Sequence, residues 1–304
     1  GTLYNTYSFF ALYANVDNFD NSQPQILVSE RPEIDRWIIS LLNTLIKEVD
    51  EYYGTYEPTK AGRAISDFVN DNLSNWYVRL NRKRFWGGEM TQDKLSAYQT
   101  LYTCLETVAR LIAPISPFYA DKLFADLNSA SESVHLSDFP IYDNSVVDKD
   151  LEERMQIAQS ISSMVLALRR KVNIKVRQPL MQIMIPVVDA HQQEAIEAVR
   201  DLILNEVNVK ELKYVDNAAG ILVKKVKPDF KKLGPRYGKI MKQLAVVVQG
   251  MDQQAIGELE NKGSYTFDVD GQSATIELAD VEIISEDIEG WLVANEGRLT
   301  VALD

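Results

Sequence analysis

Cysteine is almost absent: Cys104 stands alone, so no internal disulfide and no multi-cysteine zinc site is available. Histidine is nearly as scarce. His135 falls in a connector and His191 at a helix start, and neither lies in a metal-ligand or catalytic-triad spacing. Glycine-rich phosphate loops are missing too, because Gly87-Gly88 and Gly234-Pro-Arg-Tyr-Gly238 match neither a P-loop nor a dinucleotide fingerprint. No stretch approaches the ~20 apolar residues of a membrane span, and the start lacks the basic-then-apolar pattern of a leader. Adjacent acids such as Glu152-Glu153 and Glu286-Asp287 point apart on a helix or strand, which suits a solvated surface better than acid–base work. Cys104 flanks an apolar stripe and reads as a packed thiol. No catalytic residue, metal or cofactor site is therefore expected, and the setting is expected to be reducing and cytoplasmic. The chain opens on Gly1 inside a helical run, with no Met, and so reads as a piece of something longer.

Positive charge is also in short supply, with 32 Lys and Arg against 44 Asp and Glu for a net charge of -12. The deficit is local. Residues 252 to 304 hold 13 acids against Lys262 and Arg298, a balance of -11 that leaves -1 for the preceding 251 residues. Within that near-neutral part the cations are clumped. Trp76 to Trp86 carries Arg79, Arg82, Lys83 and Arg84 with no acid, and Arg169 to Arg177 carries five cations with none. Lys210 to Lys242 has ten against three acids. Such fields attract polyanions whatever the global sign, although each clump also reads as an ordinary solvated helix face.

Hydrophobic periodicity divides the chain near residue 150. Leu3, Tyr7, Phe10 and Ala14 keep helical spacing, and Ile34, Trp37, Ile38, Leu41, Leu42, Leu45, Ile46 and Val49 line a second helix. A third is expected from Pro58 to the Gly87-Gly88 stop, with a stripe of Ala61, Ala64, Ile65, Phe68, Asn72, Trp76 and Leu80. Thr91 caps a fourth, and a short helix spans Phe118 to Leu127. Short connections between amphipathic helices predict an antiparallel bundle over 1–145. After a polar connector, 146–304 mixes helices at 151–171, 194–204 and 239–248 with strands at 181–188, 209–215, 221–226, 265–269, 274–278, 281–285 and 298–303. A Gly-Pro turn is expected within 233–238, and Asp270-Gly271 is a hairpin signal. The fold class expected is an α-helical bundle followed by a smaller α+β domain, with the chain expected to be cut after a strand.

The strongest chemical constellation is Asn75-Trp-Tyr-Val-Arg-Leu-Asn-Arg-Lys-Arg-Phe-Trp86. On a helix, Arg79, Arg82 and Lys83 share one side while Trp76 and Leu80 join the buried stripe. Arg84, Phe85 and Trp86 come at the helix end, where aromatics stack on unpaired bases and guanidinium groups grip phosphate. The competing reading makes Trp76 and Tyr77 core, with Arg79 and Arg82 paired to carboxylates.

These residues carry a resemblance. Thr2-Leu-Tyr-Asn-Thr-Tyr-Ser-Phe-Phe-Ala-Leu-Tyr-Ala-Asn15, Arg31-Pro-Glu-Ile-Asp-Arg-Trp-Ile38 and the Leu73 to Trp86 block resemble the anticodon-binding region of isoleucyl-tRNA synthetases. The Trp-Tyr…Arg…Arg-Phe-Trp pattern and Leu111-Ile-Ala-Pro-Ile-Ser-Pro-Phe118 are shared by the class I enzymes for isoleucine, valine and leucine. Ile174-Lys-Val-Arg-Gln-Pro-Leu180 and Val226-Lys-Pro-Asp-Phe-Lys-Lys-Leu-Gly-Pro-Arg-Tyr-Gly238 look like the isoleucine group, in its form without a terminal zinc module. The His-x-Gly-His and Lys-Met-Ser-Lys-Ser signatures of the family are missing.

What the resemblance implies is a tRNA-reading C-terminal portion of a ligase whose catalytic and editing domains lie upstream. ATP and magnesium would act in that upstream part, with no cofactor in this segment. Arg79, Arg82, Lys83 and Arg84 would neutralise phosphates of the anticodon stem and loop of the isoleucine tRNA, and Phe85 or Trp86 would stack on an opened base. Lys171, Lys175, Arg177, Lys231, Lys232, Arg236 and Lys239 would form a second surface. The acidic tail from Asp252 would face away from RNA or be neutralised by the cations between Lys224 and Lys242. A valine or leucine counterpart, or a protein-binding scaffold without catalysis, are the alternative readings.

Overall fold

Polar caps and prolines start the helices where the apolar stripes begin. The structure, a computed structural model, describes the chain to Leu303 apart from residues 129–132, 188, 217–222, 239, 270–271, 287–291 and 297–298. It divides into two compact units, Gly1–Glu152 and Glu153–Asp304.

In the first unit, α1 (Thr2–Val16) buries Thr6, Phe10 and Ala14 at four-residue steps. Pro32 leads into α2 (Glu33–Gly54), and Glu33 and Asp35 in its first turn suit the positive end of the helix dipole. Pro58 opens α3 (Pro58–Asp67). A wider i→i+5 stretch, Phe68–Val78, follows and continues into α4 (Arg79–Phe85). The Thr91 hydroxyl accepts from the Lys94 amide at 3.2 Å and caps α5 (Gln92–Ile112), which is buried along most of its length. α6 (Pro117–Leu127) completes a helical bundle. The next helix, α7 (Lys149–Lys171), starts in this unit and continues into the second.

The second unit mixes helices and strands. β1 (Leu180–Val187) is followed by α8 (Ala190–Ala198), α9 (Arg200–Val207) and β2 (Val209–Asp216). β1 and β2 pair in parallel, as their helical crossover requires. β3 (Val223–Pro228) precedes α10 (Phe230–Tyr237), α11 (Met241–Gln249) and α12 (Gln253–Lys262). β4 (Ser264–Val269), β5 (Gln272–Glu277), β6 (Val281–Glu286), β7 (Leu292–Glu296) and β8 (Leu299–Leu303) end the described chain. The described strands form one sheet in the order β2-β1-β8-β7 and two antiparallel pairs, β3-β6 and β4-β5. α12 and β7 were not among the expected elements. The hairpin residues Asp270 and Gly271 lie outside the described residues.

The expected Gly-Pro turn is instead helix α10, with Pro235 inside it. Pro235 forfeits one helical hydrogen bond. Burial of Leu233 and anchoring of the next two residues offset that loss. Arg236 pairs with Asp280 at 2.7 Å, and the Tyr237 hydroxyl donates to the Thr275 carbonyl at 2.8 Å.

The wide stretch at Phe68–Val78 changes which residues face inward. A continuous α-helix carrying the stripe Ala61, Ile65, Phe68, Asn72 and Trp76 would bury Leu80. An i→i+5 winding adds residues per turn and advances the inward face. The buried set runs Ala61, Ile65, Phe68, Val69, Leu73, Trp76, Tyr77 and Val78, then Asn81 and Phe85, while Asn72 and Leu80 are only half-buried. One buried carboxylate holds that register. Asp35 of α2 is 0% exposed and accepts from the Tyr77 hydroxyl (2.8 Å), the Ser96 hydroxyl (2.6 Å) and both terminal nitrogens of Arg84 (2.6 and 2.9 Å). α2, the wide stretch, α4 and α5 thus meet on a single side chain. Burial and the neighbouring Asp35 carboxylate both push the Tyr77 hydroxyl pKa well up, so it stays a donor.

Removing one member of a buried, hydrogen-bonded ion pair leaves the other uncompensated, at a cost of ~3–5 kcal/mol. Asp35→Ala and Arg84→Ala should therefore each lower unfolding free energy by about that amount in urea titrations followed by circular dichroism. Arg82→Ala, on the exposed side, should stay within ~0.5 kcal/mol of the parent chain. Equal and small effects for all three would contradict the assignment of Asp35 as the register pin.

Candidate nucleic-acid interface

The rotation of α4 sorts its cations into two groups. Arg79, Arg82 and Lys83 are exposed. Arg79 donates from Nε to the Asn75 carbonyl at 2.7 Å, one turn back along the helix. Arg84 is turned inward. Beyond its bidentate contact with Asp35 it donates to the Asp93 carboxylate (2.9 Å), the Asp93 carbonyl (2.7 Å) and the Asn81 side-chain oxygen (3.1 Å). Burial opposes its charge, but the hydrogen bonds it donates to Asp35 and the Asp35 charge outweigh that, and its pKa is raised. Arg84 is therefore a structural cation and leaves the expected phosphate-contacting set.

The two aromatics at the helix end part company in the same way. Phe85 is 0% exposed and packs edge-on against Phe9 and Tyr98, with ring centroids 5.2 and 5.0 Å away. It has no face to offer a base, contrary to the expectation. Trp86 is 53% exposed and sits at the backbone break where α4 ends. Trp76 is buried, as the competing reading of that residue held.

The turn after Trp86 is fixed from below. Gly87 and Gly88 have φ of +61° and +77°, the left-handed region that a side chain would make costly. The ammonium of Lys94, itself buried, donates to the Gly87 carbonyl at 3.0 Å and pairs with Asp17 at 2.6 Å. Asp17 also accepts from the Tyr98 hydroxyl at 2.5 Å. The end of α1, the start of α5 and the turn beside Trp86 are thereby tied together. Asp35, Asp17 and Lys94 escaped the sequence reading. The available signal was an acid, Asp35, set between Ile34 and Trp37 of the apolar stripe of α2.

In the second unit, Lys171, Lys175, Arg177, Lys231, Lys232 and Arg236 are all exposed, and Lys239 lies outside the described residues. Arg236 is engaged with Asp280 and with the Thr275 carbonyl (3.2 Å), and Lys232 donates to the Ala279 carbonyl (2.6 Å), so both tie α10 to the chain near residue 280. Lys175 and Arg177 lie in the loop between α7 and β1. Arg169, the first cation of that clump, is buried rather than displayed. The acidic stretch is partly matched inside its own unit, because β6 pairs with the basic β3 and sets Glu282 opposite Lys227.

Among the described residues, no three His, Cys, Asp or Glu side chains gather in a group that could hold a metal, and the left-handed glycines Gly87, Gly88 and Gly263 follow helix ends. No described helix is long and apolar enough to cross a membrane. Cys104 is fully buried, and burial raises its pKa, which keeps the thiol protonated and inert.

The Asp17 anchor carries a pH signature. Burial raises its pKa, but the Lys94 and Tyr98 hydrogen bonds outweigh that and hold it below the usual 3.8. A depressed carboxyl contributes stability that is complete above the unfolded pKa and is lost as pH falls through the folded one. Melting temperature should accordingly drop between pH 5 and pH 3. Asp17→Asn should start from a lower value at pH 5 and fall less steeply. Parallel curves for the two chains would refute the anchor.

Comparison with known proteins identifies the family of the chain and the domain within it. The model of the anticodon-binding domain of tRNA ligases matches residues 35–185, starting at the buried Asp35 itself. An isoleucine–tRNA ligase of Bacteroides thetaiotaomicron is 70% identical over the whole chain. Those of Porphyromonas gingivalis and Clostridium novyi are 66% and 38% identical, again over the whole chain. The chain spans 27 to 29% of the length of these three relatives. With ligases of one amino acid aligned along all of its residues, and the anticodon-binding domain within it, the chain belongs to the isoleucine–tRNA ligase family.

Proposed function

We propose that this chain binds the anticodon stem and loop of the isoleucine tRNA, as the C-terminal portion of a ligase that joins isoleucine to that tRNA at the expense of ATP. The carrying observation is the end of α4. There Arg79, Arg82, Lys83 and the half-exposed Trp86 face outward from a helix whose fourth cation, Arg84, and whose aromatic, Phe85, are locked inside. Arg79, Arg82 and Lys83 neutralise backbone phosphates, and Trp86 offers a ring face to an unpaired base, a contact worth ~1–3 kcal/mol. Phosphate contacts fix position and orientation without reading sequence. Lys171, Lys175, Arg177 and Lys231 add cationic surface on the second unit, Lys232 and Arg236 are partly engaged within it, and Lys239 joins the set on its place in the sequence. Isoleucine activation, magnesium and ATP belong to a catalytic domain elsewhere in the longer ligase, and the reaction to the cytoplasm.

The choice between RNA and a protein partner is a question of salt. Neutralising phosphates releases counterions, so log affinity falls linearly with log salt concentration. Arg82→Ala with Lys83→Ala should weaken binding of a labelled isoleucine tRNA in fluorescence anisotropy and reduce that slope by about one unit per lost contact. Trp86→Ala should weaken binding about five- to a hundred-fold, the equivalent of one lost stack, with little change in slope. Unlabelled valine and leucine tRNAs should compete poorly. Affinity and slope left at parental values by both variants would overturn the reading.

A further inference from the structure

The loop between α7 and β1 is built around a buried charge. Arg169, in the last turn of α7, is 1% exposed, and among the described residues its guanidinium meets only neutral oxygens. Nη1 donates to the carbonyls of Lys175 (3.2 Å) and Gln178 (2.9 Å), and Nη2 to that of Asn208 (2.9 Å). Nε is buried with no partner. Burial opposes the charge and lowers its pKa, with no neighbouring carboxylate acting in the other direction.

A desolvated guanidinium without a counter-ion is costly. The helix C-terminus contributes at most about half a negative charge. The loop adds positive charge instead: Lys175 and Arg177 are exposed, and Arg169 to Gln178 contains no acid. The arrangement therefore carries an excess of positive charge at a covered site just below the surface.

The loop is also held in one shape. Asn173 takes φ +58° and ends the helix, with the Ile174 amide reaching back to the Arg169 carbonyl at 2.9 Å. The Gln178 amide closes a turn onto the Lys175 carbonyl at 2.9 Å. Asn208, also left-handed at φ +52°, donates from its side chain to the Val176 carbonyl at 2.8 Å. Ordering that has already been supplied by the fold is not charged against binding.

We infer that the Asn173–Gln178 loop is a preformed site for the phosphate backbone of RNA, with Lys175 and Arg177 touching phosphate and Arg169 as the positioning residue beneath them. This rests on the proposed RNA-binding function and deepens it, by adding to the α4 surface a second contact whose geometry depends on a buried cation. An anion above the loop supplies the negative charge that Arg169 lacks, and so favours the bound state more than two surface cations alone would.

The test is tRNA binding by the whole chain across a salt series, with two sets of variants. Lys175→Ala with Arg177→Ala should lower affinity about tenfold and flatten the log–log salt slope by one to two units, while melting temperature stays at the parental value. Arg169→Met should lower affinity in the parent, but by less than twofold when Lys175 and Arg177 are already Ala. A purely structural Arg169 would instead weaken binding equally in both backgrounds. If Arg169→Met does not fold, the surface pair still decides the question. Unchanged affinity and slope for that pair, alongside a loss for Arg82→Ala with Lys83→Ala, overturns the loop site and leaves the α4 reading standing. No tRNA affinity in the parent chain overturns both.

Discussion

A carboxylate with no exposure to solvent governs the display of the first unit. Asp35 brings charge into the centre of the bundle, and every group that stabilises it comes from a different part of the chain: Tyr77 from the wide stretch, Arg84 from α4 and Ser96 from α5. In the observed register, with the wider winding over Phe68–Val78, all three partners reach Asp35 together. The extra winding turns Phe85 into the aromatic cluster with Phe9 and Tyr98, and turns Arg82 and Lys83 out. A buried ion pair is weak evidence of net stability, but it strongly penalises any alternative register that would leave Arg84 or Asp35 alone.

A related device recurs in both units. Beneath the Trp86–Gly87 turn lies Lys94, and beneath the Lys175–Gln178 turn lies Arg169, each donating to loop carbonyls from a covered position. The two differ in charge balance. Lys94 has Asp17 as its counter-ion, whereas the contacts of Arg169 are neutral oxygens. A neutralised anchor shapes its turn and adds little field, while an uncompensated one does both. This difference assigns a packing role to the first and an electrostatic role to the second.

Much of this was legible in the sequence, and the failures have a common cause. The helices of the bundle followed from stripes such as Trp37, Ile38, Leu41, Leu45 and Ile46, β1 from apolar density, and β2 and β3 from alternation and β-branching, because burial imposes those periods directly. The register of α4 did not follow. Its winding depends on Asp35, more than forty residues away, and a periodicity taken from neighbours contains no such term. For the same reason Arg84 and Arg236 read as free cations: their partners, Asp35 and Asp280, lie 49 and 44 residues distant. α10 was read as a turn because Gly234-Pro235 is a strong local signal, and the long-range bonds of Arg236 and Tyr237 override it. The family resemblance carried the function, since composition and spacing alone supplied only basic clumps beside aromatics.

The central claim is that two arginines two positions apart on one helix have opposite fates, Arg82 displayed to RNA and Arg84 locked on Asp35. Arginine-selective modification with phenylglyoxal, read out peptide by peptide in mass spectrometry with and without isoleucine tRNA, measures both at once. Arg82 should react readily in the free chain and be protected by tRNA, while Arg84 should stay unreactive in either case. Ready modification of Arg84 in the folded chain, or an Arg82 that reacts equally with and without tRNA, would contradict the account.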